Sequence, residues 1–159
     1  MTTISIDDLV GAWQLESWTI GYAGRDELSF PYGEDPGGLL VYSSDGWMSA
    51  CITRPGRAKF PEDVSYRKLP DALKAEAFSS YFHYAGRFHV AGGDVIHQVT
   101  HSLNPNFPGS EQLRHAELDV HTLVLSGKDE VDGVTRFHSL VWHRTEATPE
   151  DVLAGQRVD

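Results

Sequence analysis

Apolar and polar residues alternate along most of this chain, in short runs that are separated by turn signals. Period-two runs of this kind predict β-strands. The dipeptides Asp45-Gly46, Gly92-Gly93 and Asp132-Gly133 can supply the positive φ angles that two-residue hairpins need. We predict eight strands, at about Ala12–Ile20, Gly38–Ser43, Trp47–Thr53, Arg87–Ala91, Asp94–Ser102, Glu111–Leu118, Thr122–Ser126 and Thr135–Arg144. Because a succession of antiparallel strands leaves few free edges when it closes, the pattern is typical of a barrel.

Helical signals occur in two places. Ser5-Ile6-Asp7-Asp8 matches a capping box and predicts a short N-terminal helix that ends at Gly11. A longer helix is predicted over about 70–84, where Pro70 suits the first helical position. The residues that recur there at helical spacing are Leu73, Ala77, Tyr81 and Tyr84. The predicted fold class is therefore all-β, an eight-stranded antiparallel barrel with a short N-terminal helix and one lid helix.

Length and charge narrow the choice of function. With 159 residues, we expect one barrel domain over residues 3–146 and a C-terminal tail over residues 147–159. The net charge of −10 argues against nucleic acid and anionic membrane surfaces as partners. The single cysteine cannot form an internal disulfide, and neither a leader pattern nor an apolar run of membrane-spanning length occurs. We therefore expect a cytoplasmic protein, with a homodimer left possible.

Several sequence fragments follow one another in the order of a known family. The string Leu9-Val10-Gly11-Ala12-Trp13 resembles the Gly-x-Trp signature of lipocalins. The succession of fragments at 38–42, 45–49, 84–88 and 97–99, with Arg114 and Leu140-Val141-Trp142-His143-Arg144, resembles the bacterial lipocalin-like domain family. The resemblance implies a small calycin-type barrel, but this family has no single shared reaction, so it implies no specific activity.

Two residues are predicted to close the barrel. Gly11 lets the entering chain turn sharply, so that Trp13 can cover the barrel floor with a large apolar ring. Arg144, on the last strand, would lie beside the first strand and stack on that ring. We therefore expect a structural role for Trp13 and Arg144.

Strand alternation indicates which side chains face the interior. The predicted ligand-binding residues on the strands are Tyr42, Met48, His97, Gln112, Arg114, His138 and Trp142, with Tyr81 and Tyr84 added from the lid helix. No Asp or Glu falls on the inward face of the predicted strands. An interior Arg114 would therefore need a carboxylate or enolate of the ligand as its partner.

Two functions from different classes fit this lining. The first is binding of a small, largely apolar or aromatic molecule that carries a carbonyl or acidic group. The alternative is a cofactor-independent isomerase, cyclase, lyase or decarboxylase. In that case His97, whose unperturbed pKa near ~6.5 suits proton transfer at neutral pH, would act as general base or acid and Arg114 would stabilise an oxyanion.

Neither a cofactor nor a metal is predicted. No nucleotide-binding glycine motif or nucleophile elbow occurs in the sequence. His97 and His101 share a face of the predicted strand, but four residues along a strand span about 13 Å, too far for one metal ion.

Overall fold

Nine antiparallel strands form a single sheet in the computed structural model of the protein, which describes residues 3–146. The strands are β1 (Gly11–Tyr22), β2 (Leu28–Ser29), β3 (Gly37–Tyr42), β4 (Trp47–Thr53), β5 (Tyr81–Ala91), β6 (Asp94–Ser102), β7 (Glu111–Leu118), β8 (Thr122–Val131) and β9 (Val134–Arg144). The two helices are α1 (Ile6–Leu9) and α2 (Asp71–Ser79), and a 3-10 turn covers Tyr66–Lys68.

Eight of these strands close into a barrel, as predicted. Strand β1 pairs with β3 at one end and with β9 along most of its length, from Trp13 opposite Arg144 to Tyr22 opposite Arg136. The two-residue β2 pairs only with β1, beside the barrel. All three dipeptides lie in turns between paired strands, but only Gly92-Gly93 and Asp132-Gly133 are two-residue hairpins, since four residues join β3 to β4. Asp132 and Gly133 both have the positive φ of a tight turn.

The floor of the barrel is built as the sequence predicts. Trp13 is fully buried and its indole Nε1–H donates to the Leu9 carbonyl oxygen, 2.9 Å away. The Arg144 guanidinium stacks on the Trp13 ring with its carbon 4.0 Å from the ring centroid, which confirms the predicted contact. Arg144 also donates to the carbonyl oxygens of Asp8 and Val10, so it stabilises the end of α1.

The second helix is confirmed, but it ends at Ser79 rather than near Tyr84. Residues 81–84 belong to β5, where Tyr81 pairs with Thr53 and Tyr84 with Ala50. Their aromatic side chains suit a strand that pairs with β4 and β6, and this pairing overrides the helical spacing. Within residues 3–146, neither helix has the length and apolar character that a membrane crossing requires.

Gly86 lets β5 continue through the point where the prediction placed a boundary between helix and strand. A Cβ atom at this position would lie 1.9 Å from the Gln98 carbonyl oxygen, so only glycine permits the close approach of β6. In the sequence, Gly86 marks the gap between the predicted helix and the predicted strand. In the structure it lies in the middle of a continuous strand.

Two irregularities in pairing change which side chains face inward. A bulge between Leu15 and Ser17 shifts the register of β1, so Trp18 rather than Ser17 faces the cavity. A second shift, where β6 pairs with Ala85 and Gly86, leaves His101 exposed. The prediction that His97 and His101 share one face is therefore wrong.

Candidate functional site

A cavity of about 210 Å³ lies inside the barrel. Its apolar wall consists of Leu40, Ala50, Ile52, Phe82, Phe107, Leu125 and Leu140, together with the rings of Trp18, Tyr84 and Trp142. A cavity of about 150 Å³ can hold benzene, so this space suits a molecule of one ring with a small substituent. Its polar groups are His97, Gln112, Arg114, Lys128, Asp129, Arg136 and His138.

His97 on β6 is the deepest polar group of this lining, at 1% exposed. Its Nε2 lies 2.7 Å from the Tyr42 hydroxyl oxygen, and its Nδ1 lies 2.8 Å from the Tyr84 hydroxyl oxygen. Burial, and then the positive charge of Arg114, lower the pKa of His97 to about 3. The pKa of His97 therefore lies far below the ordinary histidine value of 6.5, and the imidazole is neutral at physiological pH.

Arg114 on β7 lies at the cavity wall with only neutral partners. Its guanidinium donates to the Leu113 carbonyl oxygen at 2.9 Å and to Gln112 Oε1 at 3.3 Å. Among residues 3–146, no carboxylate lies within ion-pair distance of this guanidinium. Gly127 leaves room for it, since a Cβ there would lie 2.9 Å from Arg114 Nη1.

A second guanidinium on the lining is neutralised. Arg136 on β9 donates through two nitrogens to the Asp129 carboxylate of β8, the residue paired with it across the hairpin. Chiefly because of this contact, the pKa of Asp129 falls to about 2. The Asp129 side chain is 44% exposed, so the ion pair lies at the solvent side of the cavity.

His138 is held beside this ion pair in one orientation. The Trp18 indole, which can only donate, lies with its Nε1 at 3.3 Å from His138 Nδ1. His138 Nε2 lies 3.2 Å from an Asp129 oxygen, in a direction that is poor for a hydrogen bond. Burial lowers the pKa of His138, while Asp129 opposes the shift. Since Nδ1 accepts from Trp18, the neutral form carries its proton on Nε2.

The cavity is cationic although the protein is acidic. Three cations, Arg114, Lys128 and Arg136, and one carboxylate, Asp129, belong to the lining. The neutral imidazoles of His97 and His138 add no charge. Among residues 3–146, the lining thus offers an anion one guanidinium that is paired with a carboxylate and one that is not.

The structure brings most of the predicted ligand-binding residues together. Those on the cavity lining are Tyr84, His97, Gln112, Arg114, His138 and Trp142. Tyr42 lies behind His97 and contacts it rather than the cavity. Met48 is buried in the core and is not on the lining, and half-buried Tyr81 packs under Arg57 with 5.3 Å between guanidinium carbon and ring centroid.

The expectation that no carboxylate faces the interior is wrong. The predicted strand ended at Ser126, whereas β8 continues to Val131 and carries Asp129 inward. If every second residue of β8 faces inward from Leu125, Asp129 faces inward too. The same period along β9, from Trp142 through His138, places Arg136 on the inward face. Trp18 reaches the cavity lining because of the β1 bulge, and Phe82 because α2 ends at Ser79. Neither the bulge nor the helix end has a sequence signal of its own.

Two buried polar atoms of the lining residues have no hydrogen-bond partner among residues 3–146, His138 Nε2 and the Trp142 indole nitrogen. An unpaired buried N–H costs about 1–3 kcal/mol. Residues 3–146 also contain no group of three His, Cys, Asp or Glu side chains placed to hold a metal ion.

Comparison with known proteins agrees with this architecture. The family model of the lipocalin-like domain matches residues 10–145, from the residue before β1 to the residue after β9. A search of curated proteins finds no match. Because the match spans the whole barrel, the chain belongs to the lipocalin-like domain family.

Proposed function

We propose that the protein binds a small, largely apolar molecule of about one ring that carries a carboxylate or a comparable anionic or carbonyl group. The observation that carries this proposal is Arg114, a guanidinium on the wall of an internal cavity with no carboxylate beside it among residues 3–146. A guanidinium that is partly removed from water is stabilised by an anion, and its fork matches a carboxylate.

The contrast with Arg136 supports this choice of anchor. Both guanidinium groups belong to the same lining, but Asp129 already occupies the donors of Arg136. A ligand carboxylate at Arg136 would have to displace Asp129, whereas at Arg114 it replaces only neutral acceptors. The apolar residues of the wall would then enclose the ring of the ligand.

The low pKa of His97 favours binding over the alternative of a cofactor-independent isomerase, cyclase, lyase or decarboxylase. A general acid or base works best when its pKa lies near the operating pH. With a pKa of about 3, His97 is a weak base, and both of its ring nitrogens already have tyrosine partners. No described observation favours a reaction over binding.

The test compares three probes of similar size by isothermal titration calorimetry: benzoate, its neutral amide and toluene. We expect the wild-type protein to bind benzoate at least about tenfold more tightly than benzamide, since a hydrogen bond to a charged group contributes about 1.5–3 kcal/mol. Arg114→Gln should abolish this preference and retain toluene binding.

The matched control is Arg87→Gln, because Arg87 is an exposed guanidinium stacked on Trp47, outside the cavity. It should bind all three probes as the wild type does. Absence of binding by every probe, or a benzoate preference that survives Arg114→Gln, would overturn the proposal.

A further inference from the structure

Tyr42, His97 and Tyr84 together carry one more donor hydrogen than the two hydrogen bonds between them require. A neutral imidazole has one N–H and one lone pair, and each tyrosine adds one O–H. Three hydrogens are thus available for the two contacts at 2.7 Å and 2.8 Å. One tyrosine must accept from the imidazole, and its own hydroxyl hydrogen then points elsewhere.

The surroundings of the two hydroxyl groups differ. Tyr42 is 1% exposed, packs against the Phe88 ring at 4.6 Å between centroids, and is not on the cavity lining. Within residues 3–146, its hydroxyl has no hydrogen-bond partner besides His97. Tyr84, in contrast, lies on the cavity lining. A spare hydrogen on Tyr42 would be buried without an acceptor, whereas a spare hydrogen on Tyr84 can be taken by a ligand.

We infer that the three side chains form a directional chain in which Tyr42 donates to His97 Nε2, His97 Nδ1–H donates to Tyr84, and the Tyr84 hydroxyl donates into the cavity. The same count argues against an imidazolium at His97. Both ring nitrogens would then donate, and the Tyr42 hydrogen would again be left without an acceptor.

This inference rests on the proposed function and specifies it further. Tyr84 becomes a second recognition group beside Arg114, whose positive charge acts on Tyr84 and opposes the rise in pKa that burial causes. Both groups are donors, so this end of the cavity selects a ligand oxygen that only accepts, as in a carboxylate or a ketone. It discriminates against a ligand that presents only N–H or O–H donors there.

The direction of the chain can be measured in the free protein by NMR of ¹⁵N-labelled histidine, with His97→Gln used to assign the His97 signals. We expect a protonated, pyrrole-type Nδ1 and an unprotonated, pyridine-type Nε2. A protonated Nε2, alone or together with a protonated Nδ1, would overturn the inference. Because no ligand is present, this result is independent of the proposed function.

A binding experiment tests the role of Tyr84 itself, with acetophenone and α-methylstyrene as probes. The two have the same shape, but only acetophenone carries an accepting oxygen. The wild type should prefer acetophenone by at least about fivefold, the value of one ordinary hydrogen bond. Tyr84→Phe should lower the ratio of the two affinities by about fivefold, to the value that Arg114 supplies without Tyr84.

The matched control is Tyr81→Phe, which changes a tyrosine of the same strand outside the cavity and should keep the wild-type ratio. A ratio that is unchanged in Tyr84→Phe would overturn the role of Tyr84 and leave the anion-binding proposal intact. If the wild type binds neither probe, the role of Tyr84 in recognition fails together with the proposed function, while the NMR result still decides the direction of the chain.

Discussion

Burial of a neutral His97 makes the stability of the protein depend on pH. In the unfolded chain this histidine titrates near its usual pKa of 6.5, and in the folded protein near about 3. Above pH 6.5 the imidazole is neutral in both states and contributes no pH dependence. Below pH 6.5 the unfolded chain binds a proton that the folded protein does not, so the free energy of unfolding decreases by about 1.4 kcal/mol per pH unit. The decrease continues down to about pH 3.

This loss can be isolated by comparing the wild type with His97→Gln, which cannot titrate at this position. Two pH units below the unfolded pKa, at about pH 4.5, His97 should account for about 2.7 kcal/mol of lost stability. Urea unfolding followed by tryptophan fluorescence, at pH values from 7.5 to 4.5, gives both profiles. The profile of His97→Gln should be shallower by this amount, whatever its stability at pH 7.5.

The control is His101→Gln, because this histidine of the same strand is exposed. It should follow the wild-type profile. Protonation of carboxylates such as Asp129 also lowers the free energy of unfolding in acid. These groups are common to all three proteins, so their effect cancels in the comparison. Parallel profiles for the wild type and His97→Gln would refute a neutral, buried His97 and the pKa shift on which the reasoning depends.

Three further substitutions test the close contacts around the cavity. Gly86→Ala would place a Cβ 1.9 Å from a carbonyl oxygen of β6, so we expect a loss of about 3 kcal/mol or more in urea unfolding, and a smaller loss would contradict the close approach. Gly127→Ala should displace the Arg114 guanidinium and weaken the affinity for benzoate more than that for toluene, as calorimetry would show; equal changes would place Arg114 elsewhere. Asp129→Asn leaves Arg136 without its carboxylate, so benzoate affinity should rise severalfold at low salt, and an unchanged affinity would show that Arg136 cannot reach the ligand.

The sequence predicts the barrel floor and the inward residues of β6 and β7 well, because the strands alternate regularly there. Trp13 and Arg144 lie opposite each other in β1 and β9, as strand order requires. His97 and Arg114 face inward because β6 and β7 alternate without interruption between Val95 and Val99 and between Gln112 and Ala116. Where period-two alternation holds, the inward side chains follow directly from it.

The errors occur where the backbone departs from this period. A bulge adds one residue to a strand and exchanges inward and outward positions beyond it, as at Trp18 and His101. Neither bulge contains a residue type that identifies it. The missed Asp129 has another cause, since the polar end of β8 extends toward solvent and lacks the apolar residues by which strands are recognised.

The net charge of −10 and a ligand anion are compatible because the two act over different distances. Nearly all of the described carboxylates are exposed, where salt screens their field within about 8 Å at physiological ionic strength. A surface of this charge repels the phosphates of a nucleic acid, and the prediction that nucleic acid is not a partner rests on this repulsion. In the proposed function a one-ring carboxylate meets Arg114 at hydrogen-bond distance. Among residues 3–146 this guanidinium has no carboxylate beside it, and at that distance in a partly dry cavity its attraction outweighs the screened charges outside. The net charge thus describes the outer surface, whereas in the proposed function Arg114 and Tyr84 select the small molecules that the interior accepts.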